Sequence, residues 1–313
     1  MVYDKTVAVI DVGSNSIKLL VASIRAPNNN LLVRFTETLE TRISAGISHA
    51  DPELTEAAMN EGLESICKLL RSAKKFEPEV IRMVATSAVR DARNGTQFID
   101  CIKNQTNHQM QVLSGHQEAQ YIGRGLACDP EFKSLDHFFQ MDLGGGSLEL
   151  IGFSKNQITQ AVSLQLGSVR LMEAFLKDHK IPLSDILQAE ISQYIHATLT
   201  KKDFDFQPLE WPLIITGGAA SVTRAILAAR ADQSIETSSP FLKLKTLSKL
   251  RSELAKLPLH KRFNIPHLPA RRADILPISL LTIETVLKYA QRETAMHSFY
   301  NLRYGLAREA LNC

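Results

Sequence analysis

Two turns in this sequence bring the same residue types together at the same spacing. Residues 11–16 read Asp-Val-Gly-Ser-Asn-Ser and residues 142–147 read Asp-Leu-Gly-Gly-Gly-Ser, aligning Asp11 with Asp142, Gly13 with Gly144 and Ser16 with Ser147. A tight glycine-rich turn aims several backbone N–H groups at one spot, a nest for phosphate oxygens. Gly13, Ser14, Asn15 and Ser16 form the first candidate nest, and Gly144, Gly145, Gly146 and Ser147 the second. Asp11 and Asp142 sit where a strand enters each turn, placed to meet a hard cation carried by the phosphates. Beyond the turns the copies diverge, because Lys18 stands where the second copy has Glu149. Lys18 shares a strand face with Ser16, either to meet a polyanion or as a solvated strand residue. Three consecutive glycines exceed the need of a turn and cost entropy to fix, so a close approach to the backbone is expected there.

The elements around the turns repeat as well. Each copy reads apolar strand, glycine turn, apolar strand, Asn-containing turn ("PNNN", "SKNQ") and third strand, which predicts a three-stranded antiparallel meander. After the first meander, "DPELTEAAMNEGLESICKLLRSAKK" has helical spacing from Leu54 to Leu70. A strand "EVIRMVATS", a helix from Arg90, a strand "MQVLSG" and a helix from His116 follow. After the second come helices over "SVRLMEAFLKDH" and "PLSDILQAEISQYIHATLTKK", a strand "PLIITGG", the helix "AASVTRAILAAR" and further helices through Gln291. A duplicated βββαβα plan predicts two α/β domains with a cleft between them. The boundary is expected near "CDPEFKSLD", giving domains 1–128 and 129–299.

Composition narrows the function classes. With 313 residues and 44% hydrophobic content the chain can fill two cores. It has no apolar run of about 20 residues and no leader-like N-terminus, so no membrane role and a cytoplasmic location are expected. Four scattered cysteines argue for reduced thiols rather than a zinc or disulfide framework. A net charge of +3 is too small for duplex nucleic-acid binding. "HKRFNIPHLPARR" does gather Lys261, Arg262, Arg271 and Arg272, either as a solvated loop or as a track for a polyanion.

The segments "DVGSNSIKLLV", "ATSAVRDARN", "LSGHQEAQY", "MDLGGGSLEL", "LGSVRL", "TGGAASV" and "RRADILP" together resemble the exopolyphosphatase and guanosine pentaphosphate phosphohydrolase (Ppx/GppA) family, in the family's order and over nearly the whole chain. The resemblance is to its short two-domain form. It implies the actin-like (ribonuclease H-like) fold shared with sugar kinases and heat-shock chaperone ATPases, with a C-terminal helix at about 300–313 completing the first domain. It also implies Mg2+ (or Mn2+) dependent hydrolysis of terminal phosphoanhydrides in inorganic polyphosphate or pppGpp, by an expected homodimer. A non-catalytic alarmone-binding regulator is the alternative class.

The resemblance also assigns residues. On the residues alone Glu118 is a helix-start glutamate favoured by the helix dipole; the similar SGxxEA motif implies that it is the catalytic base. Arg90 has forked donors for phosphate oxygens or for Asp91 and Glu118, and the similar ATSAxR segment favours phosphate. Glu149 is implied as a metal or metal-water ligand beside Asp142, and Gly217 and Gly218 as phosphate-binding. Arg303, in the closing segment, is either a substrate contact or a packing residue. Two departures are Gln117, where relatives often carry an acid, and "ISLL" after "RRADILP", where relatives usually have a glycine-containing turn.

Overall fold

A computed structural model describes residues 5–25, 30–132, 134–155 and 157–311. They fall into two compact units, residues 1–134 with 300–313 and residues 135–299. Both are α/β, each built on a mixed sheet.

In the first unit β1 (Thr6–Val12), β2 (Ile17–Arg25) and β3 (Asn30–Leu39) form the antiparallel meander. The hairpin turn expected at "PNNN" falls largely on residues 26–29, outside the described residues, as does residue 156 of "SKNQ". β1 then pairs in parallel with β4 (Val80–Ala85), and β4 with β5 (Met110–Val112), giving the order β3-β2-β1-β4-β5. Parallel neighbours need a crossover, which α1 (Glu56–Lys74) supplies between β3 and β4. Thr55 caps α1 by accepting from Ala58 N, so Leu54 precedes the helix and is buried outside it.

The single helix expected from Arg90 is two helices, α2 (Ser87–Asp91) and α3 (Gly95–Thr106). Gly95 makes the break possible, since a Cβ there would lie 2.3 Å from the Val89 carbonyl oxygen. After β5, α4 (Gly115–Leu126) opens with a capping box: Ser114 Oγ accepts from Gln117 N, and Gln117 Oε1 accepts from Ser114 N. Gln117 is therefore occupied with the helix start, a task a glutamate performs equally well. The helix Leu302–Ala310 closes this unit against α4, with Gly125 over the Asn301 carbonyl and Gly305 over the Tyr121 carbonyl; a Cβ at either would sit 2.0 Å from the oxygen.

In the second unit β6 (His137–Leu143), β7 (Leu148–Ser154) and β8 (Gln157–Leu164) repeat the meander. α5 (Ser168–Phe175) and α6 (Asp185–Lys202) lead to β9 (Leu213–Thr216), parallel to β6, and then to α7 (Gly218–Ala229). The remainder departs from the all-helical reading through Gln291. β10 (Phe241–Lys243), α8 (Leu244–Ala255), α9 (Leu259–Arg262), a 3-10 turn (Ala270–Arg272), α10 (Leu276–Tyr289) and β11 (Thr294–His297) follow, and the order is β10-β11-β9-β6-β7-β8. Strands of three and four residues carry too few positions to show a period of two. Residues 276–287 of α10 are all buried, so this helix forms the centre of its layer. The departure "ISLL" lies inside it. The final helix, Leu302–Ala310, is α11.

Candidate active site

The two glycine turns share one geometry. Gly13 N donates to Ser16 O at 3.2 Å, and Gly144 N donates to Ser147 O at 3.0 Å, so each turn closes a hairpin in the same way. Among the described residues, the N–H groups of Ser14, Asn15, Gly145 and Gly146 have no hydrogen-bond partner. Both turns thus keep backbone donors in reserve, as a phosphate nest requires.

In the first unit the turn is tied to its neighbours. Ser14 Oγ lies 2.9 Å from Ser87 Oγ at the start of α2, while the Asn15 side chain bridges Glu40 and Arg42. Arg90 leaves the same short helix. Its Nη1 donates to Glu118 Oε2 at 2.8 Å and to Leu113 O at 3.0 Å, and its Nε stands 3.4 Å from Asp91 Oδ1. Pairing with Asp91 and Glu118, one of the two sequence readings of Arg90, is thus present. Glu118 is buried in the first turn of α4, held by this guanidinium. Lys18 is partly exposed and not isolated: Asp11 is its register partner, and Nζ lies 3.9 Å from Asp11 Oδ2. Arg303 Nη1 donates to Leu19 O at 3.0 Å, which is the packing arrangement.

In the second unit the close approach to the triple glycine comes from the chain itself. A Cβ at Gly167 would lie 2.2 Å from Gly146 C and 2.3 Å from Gly145 O. The start of α5 is pressed onto the turn, with Ser168 N donating to Gly144 O, Val169 N and Arg170 N to Gly145 O, and Arg170 Nε to Gly146 O. The turn's carbonyls face α5, which leaves its N–H groups for a ligand. Ser279 in "ISLL" donates to Ser168 Oγ at 2.8 Å and so supports the same helix start.

Asp142 and Glu149 are buried register partners on β6 and β7. Thr216 Oγ1 donates to Asp142 Oδ2 at 2.7 Å, and Ser163 Oγ donates to Glu149 Oε1 at 2.8 Å. Gly217 follows Thr216 with φ +99°, where a side chain would be strained, and its Cβ would lie 3.1 Å from Asp142 Oδ1. Among the described residues no group of three His, Cys, Asp or Glu side chains is gathered for a metal. Two carboxylates suit Mg2+, which keeps waters and takes substrate phosphates rather than a full protein cage.

Two arginines of the basic run lie elsewhere than the sequence suggests, and one histidine, His297, is a group that sequence reading does not single out. Arg272 packs its buried guanidinium on Gly218, where a Cβ would meet Nη1 at 2.3 Å. Arg262 is also buried, donating to the Leu254 and Ala273 carbonyls; burial pulls it below its usual range and Asp274 opposes that. The basic cluster is therefore neither a solvated loop nor an unbroken track, because only Lys261 and Arg271 are exposed. His297 is buried beside the start of α7. Its Nδ1 lies 3.3 Å from Arg224 Nη1 and its Nε2 lies 3.0 Å from Ser221 Oγ, while Ser221 Oγ is 3.2 Å from Gly217 O. Burial, then the Arg224 charge, lowers His297 to about 3. The imidazole is neutral, with Nδ1 accepting from Arg224 and Nε2–H donating to Ser221.

The model of the Ppx/GppA phosphatase family matches residues 20–312. The chain belongs to the Ppx/GppA phosphatase family. The match begins beyond the first turn and includes Glu118, Asp142 and Glu149. An exopolyphosphatase from Cytophaga hutchinsonii is 26% identical, with a TM-score of 0.87 and 98% of each chain covered. A Ppx/GppA member from Aquifex aeolicus shows the same fold at 22% identity and a TM-score of 0.79, covering 99% of each chain. A bifunctional 3-dehydroquinate synthase/phosphatase from Fusobacterium nucleatum is 26% identical over 294 residues, 90% of this chain and 43% of that protein. The chain thus spans less than half the length of this curated relative. Among the described residues no helix is long and apolar enough to cross a membrane.

Proposed function

We propose that this phosphatase-family chain hydrolyses terminal phosphoanhydride bonds and releases orthophosphate from the end of inorganic polyphosphate. The observation that carries the reading is the buried Glu118 fixed by Arg90 at 2.8 Å, in a chain that also has two glycine turns with backbone N–H groups left over. A module that only bound an alarmone would need the nests but not a buried, oriented carboxylate. Anhydride hydrolysis relies on positioning and charge neutralisation more than on covalent chemistry. Glu118 orients the attacking water and takes its proton as charge develops. Within each unit the N–H groups of its own turn are donors for phosphate oxygens, and in the second unit Gly217 and Gly218 extend the turn to the start of α7.

Asp142 and Glu149 would hold Mg2+ together with phosphate oxygens, and the ion would neutralise charge on the anhydride. Like charges placed directly opposite on neighbouring strands repel, so this pair is built for a cation. In the first unit the corresponding partner of Asp11 is an ammonium, Lys18, and that turn carries its positive charge within the chain. Lys18 therefore faces the polyanion as a cation fixed by Asp11. pppGpp ends in the same anhydride and is the second substrate to test.

The experiment is orthophosphate release by the purified protein with Mg2+ from long polyphosphate, short polyphosphate, pppGpp and ATP. Release from polyphosphate exceeding that from the other substrates supports the proposal. Release from pppGpp alone would transfer it to the alarmone, and release from none would overturn it.

A further inference from the structure

The registers of the two sheets align four side chains in a row across each. In the second unit Thr216 (β9) is the partner of Asp142 (β6), Asp142 of Glu149 (β7), and Glu149 of Ser163 (β8). Register partners point to the same face of a sheet, so the row reads hydroxyl, carboxylate, carboxylate, hydroxyl. The corresponding row in the first unit is Val84, Asp11, Lys18 and Thr38. The duplication thus retains an aspartate at the same place in both. It differs in what surrounds it: where the neighbour is an ammonium the flank beside the aspartate is a valine, and where the neighbour is a second carboxylate each acid has a hydroxyl donor.

The donors are specific in direction. Thr216 is fully buried, and its Oγ1 lies 3.3 Å from Gln140 Nε2, 3.5 Å from Met141 O and 2.7 Å from Asp142 Oδ2. Gln140 donates to the hydroxyl, so its one proton goes to the nearer acceptor, Asp142. At the other end Ser163 Oγ donates to Glu149 Oε1 at 2.8 Å from the edge strand β8. One oxygen of each acid is fixed by a neutral donor, which orients the carboxylate without cancelling its charge. Outer partners of this kind commonly change metal affinity by about 10–100-fold when removed.

We propose that Thr216 and Ser163 are positioning residues that pre-orient Asp142 and Glu149 for a divalent cation, with Gln140 directing the Thr216 proton. This rests on the reading of Asp142 and Glu149 as the metal carboxylates. The test is calorimetric titration of Mn2+ into the full chain without substrate, for wild type, Thr216→Val, Thr216→Ser, Ser163→Ala and Asp142→Asn. Thr216→Val is expected to weaken Mn2+ about 10–100-fold, with Thr216→Ser close to wild type, since it keeps the hydroxyl. Ser163→Ala should weaken it in the same direction, and its place on an edge strand makes it the variant least exposed to a folding defect. Asp142→Asn separates the two levels of the argument. If Asp142→Asn weakens Mn2+ while Thr216→Val and Ser163→Ala bind it as wild type does, the positioning role is refuted and the metal reading stands. If Asp142→Asn leaves Mn2+ binding unchanged, both are refuted.

Discussion

Acid should destabilise the second unit through His297. This imidazole is lowered from 6.5 to about 3 by burial and by Arg224. The groups facing it are the Arg224 guanidinium and Ser221 from α7, with the Phe299 ring 4.6 Å away, so none of these contacts supplies an acid to stabilise the imidazolium. The folded value is depressed, so the stabilisation is complete above the unfolded value of 6.5 and is lost as pH falls from there towards about 3. Over that window the unfolded chain binds a proton that the native chain refuses, at roughly 1.4 kcal/mol per pH unit. Between pH 7.5 and 5.0 only the last 1.5 units or so count, which gives about 2 kcal/mol from this one group. Trp211 is the only tryptophan and stacks on His137 in the second unit, so urea unfolding followed by its fluorescence reports that unit directly. The reference is His297→Gln, which keeps polar atoms but does not titrate. Wild type should lose about 2 kcal/mol more than the variant between the two pH values. Equal losses would refute a neutral, buried His297.

Gly167→Ala places a Cβ 2.2 Å from Gly146 C, a backbone atom that cannot swing aside, and should cost about 1–3 kcal/mol or more along with phosphate release; a normal melting temperature and activity would refute the pressed turn. Lys18→Met removes the cation 3.9 Å from Asp11 and should raise KM for polyphosphate while reducing the slope of log KM against log salt by about 0.7, by analogy with single-stranded nucleic acid. An unchanged slope would place Lys18 outside the polyanion's reach. Arg262→Met should leave KM for polyphosphate unchanged while shifting the unfolding midpoint, because this guanidinium is spent on the Leu254 and Ala273 carbonyls; a raised KM would return it to substrate binding.

The duplicated meander and the glycine turns were legible because they are local: a strand period, a turn residue and a serine at fixed spacing survive in a linear reading. Glu118 is legible as a helix start, and a catalytic role for it is implied only by the resemblance. The long-range partners were not legible. Asp11 with Lys18, and Asp142 with Thr216, depend on strand register, and the parallel β6–β9 pair joins residues separated by several helices. In sequence the triple glycine reads as room for a ligand, whereas Gly167 fills one side of it, because sequence shows that backbone is bare but not what approaches it. The basic run at 261–272 failed for a related reason. Spacing alone did not separate the buried Arg262 and Arg272 from the exposed Lys261 and Arg271, since the segment winds through α9 and a 3-10 turn with no sustained period.

Orthophosphate release from polyphosphate of defined length, with Mg2+, by wild type and by Glu118→Gln is the most direct test of the whole account. The amide keeps the shape and a contact for Arg90 but cannot accept the proton of water. Wild type should shorten chains from their ends with orthophosphate as the product, and Glu118→Gln should retain polyphosphate binding while releasing phosphate about 10²–10⁴-fold more slowly. A variant within about threefold of wild type, well short of a general-base loss, would contradict the account and leave Glu118 as the acid that starts α4.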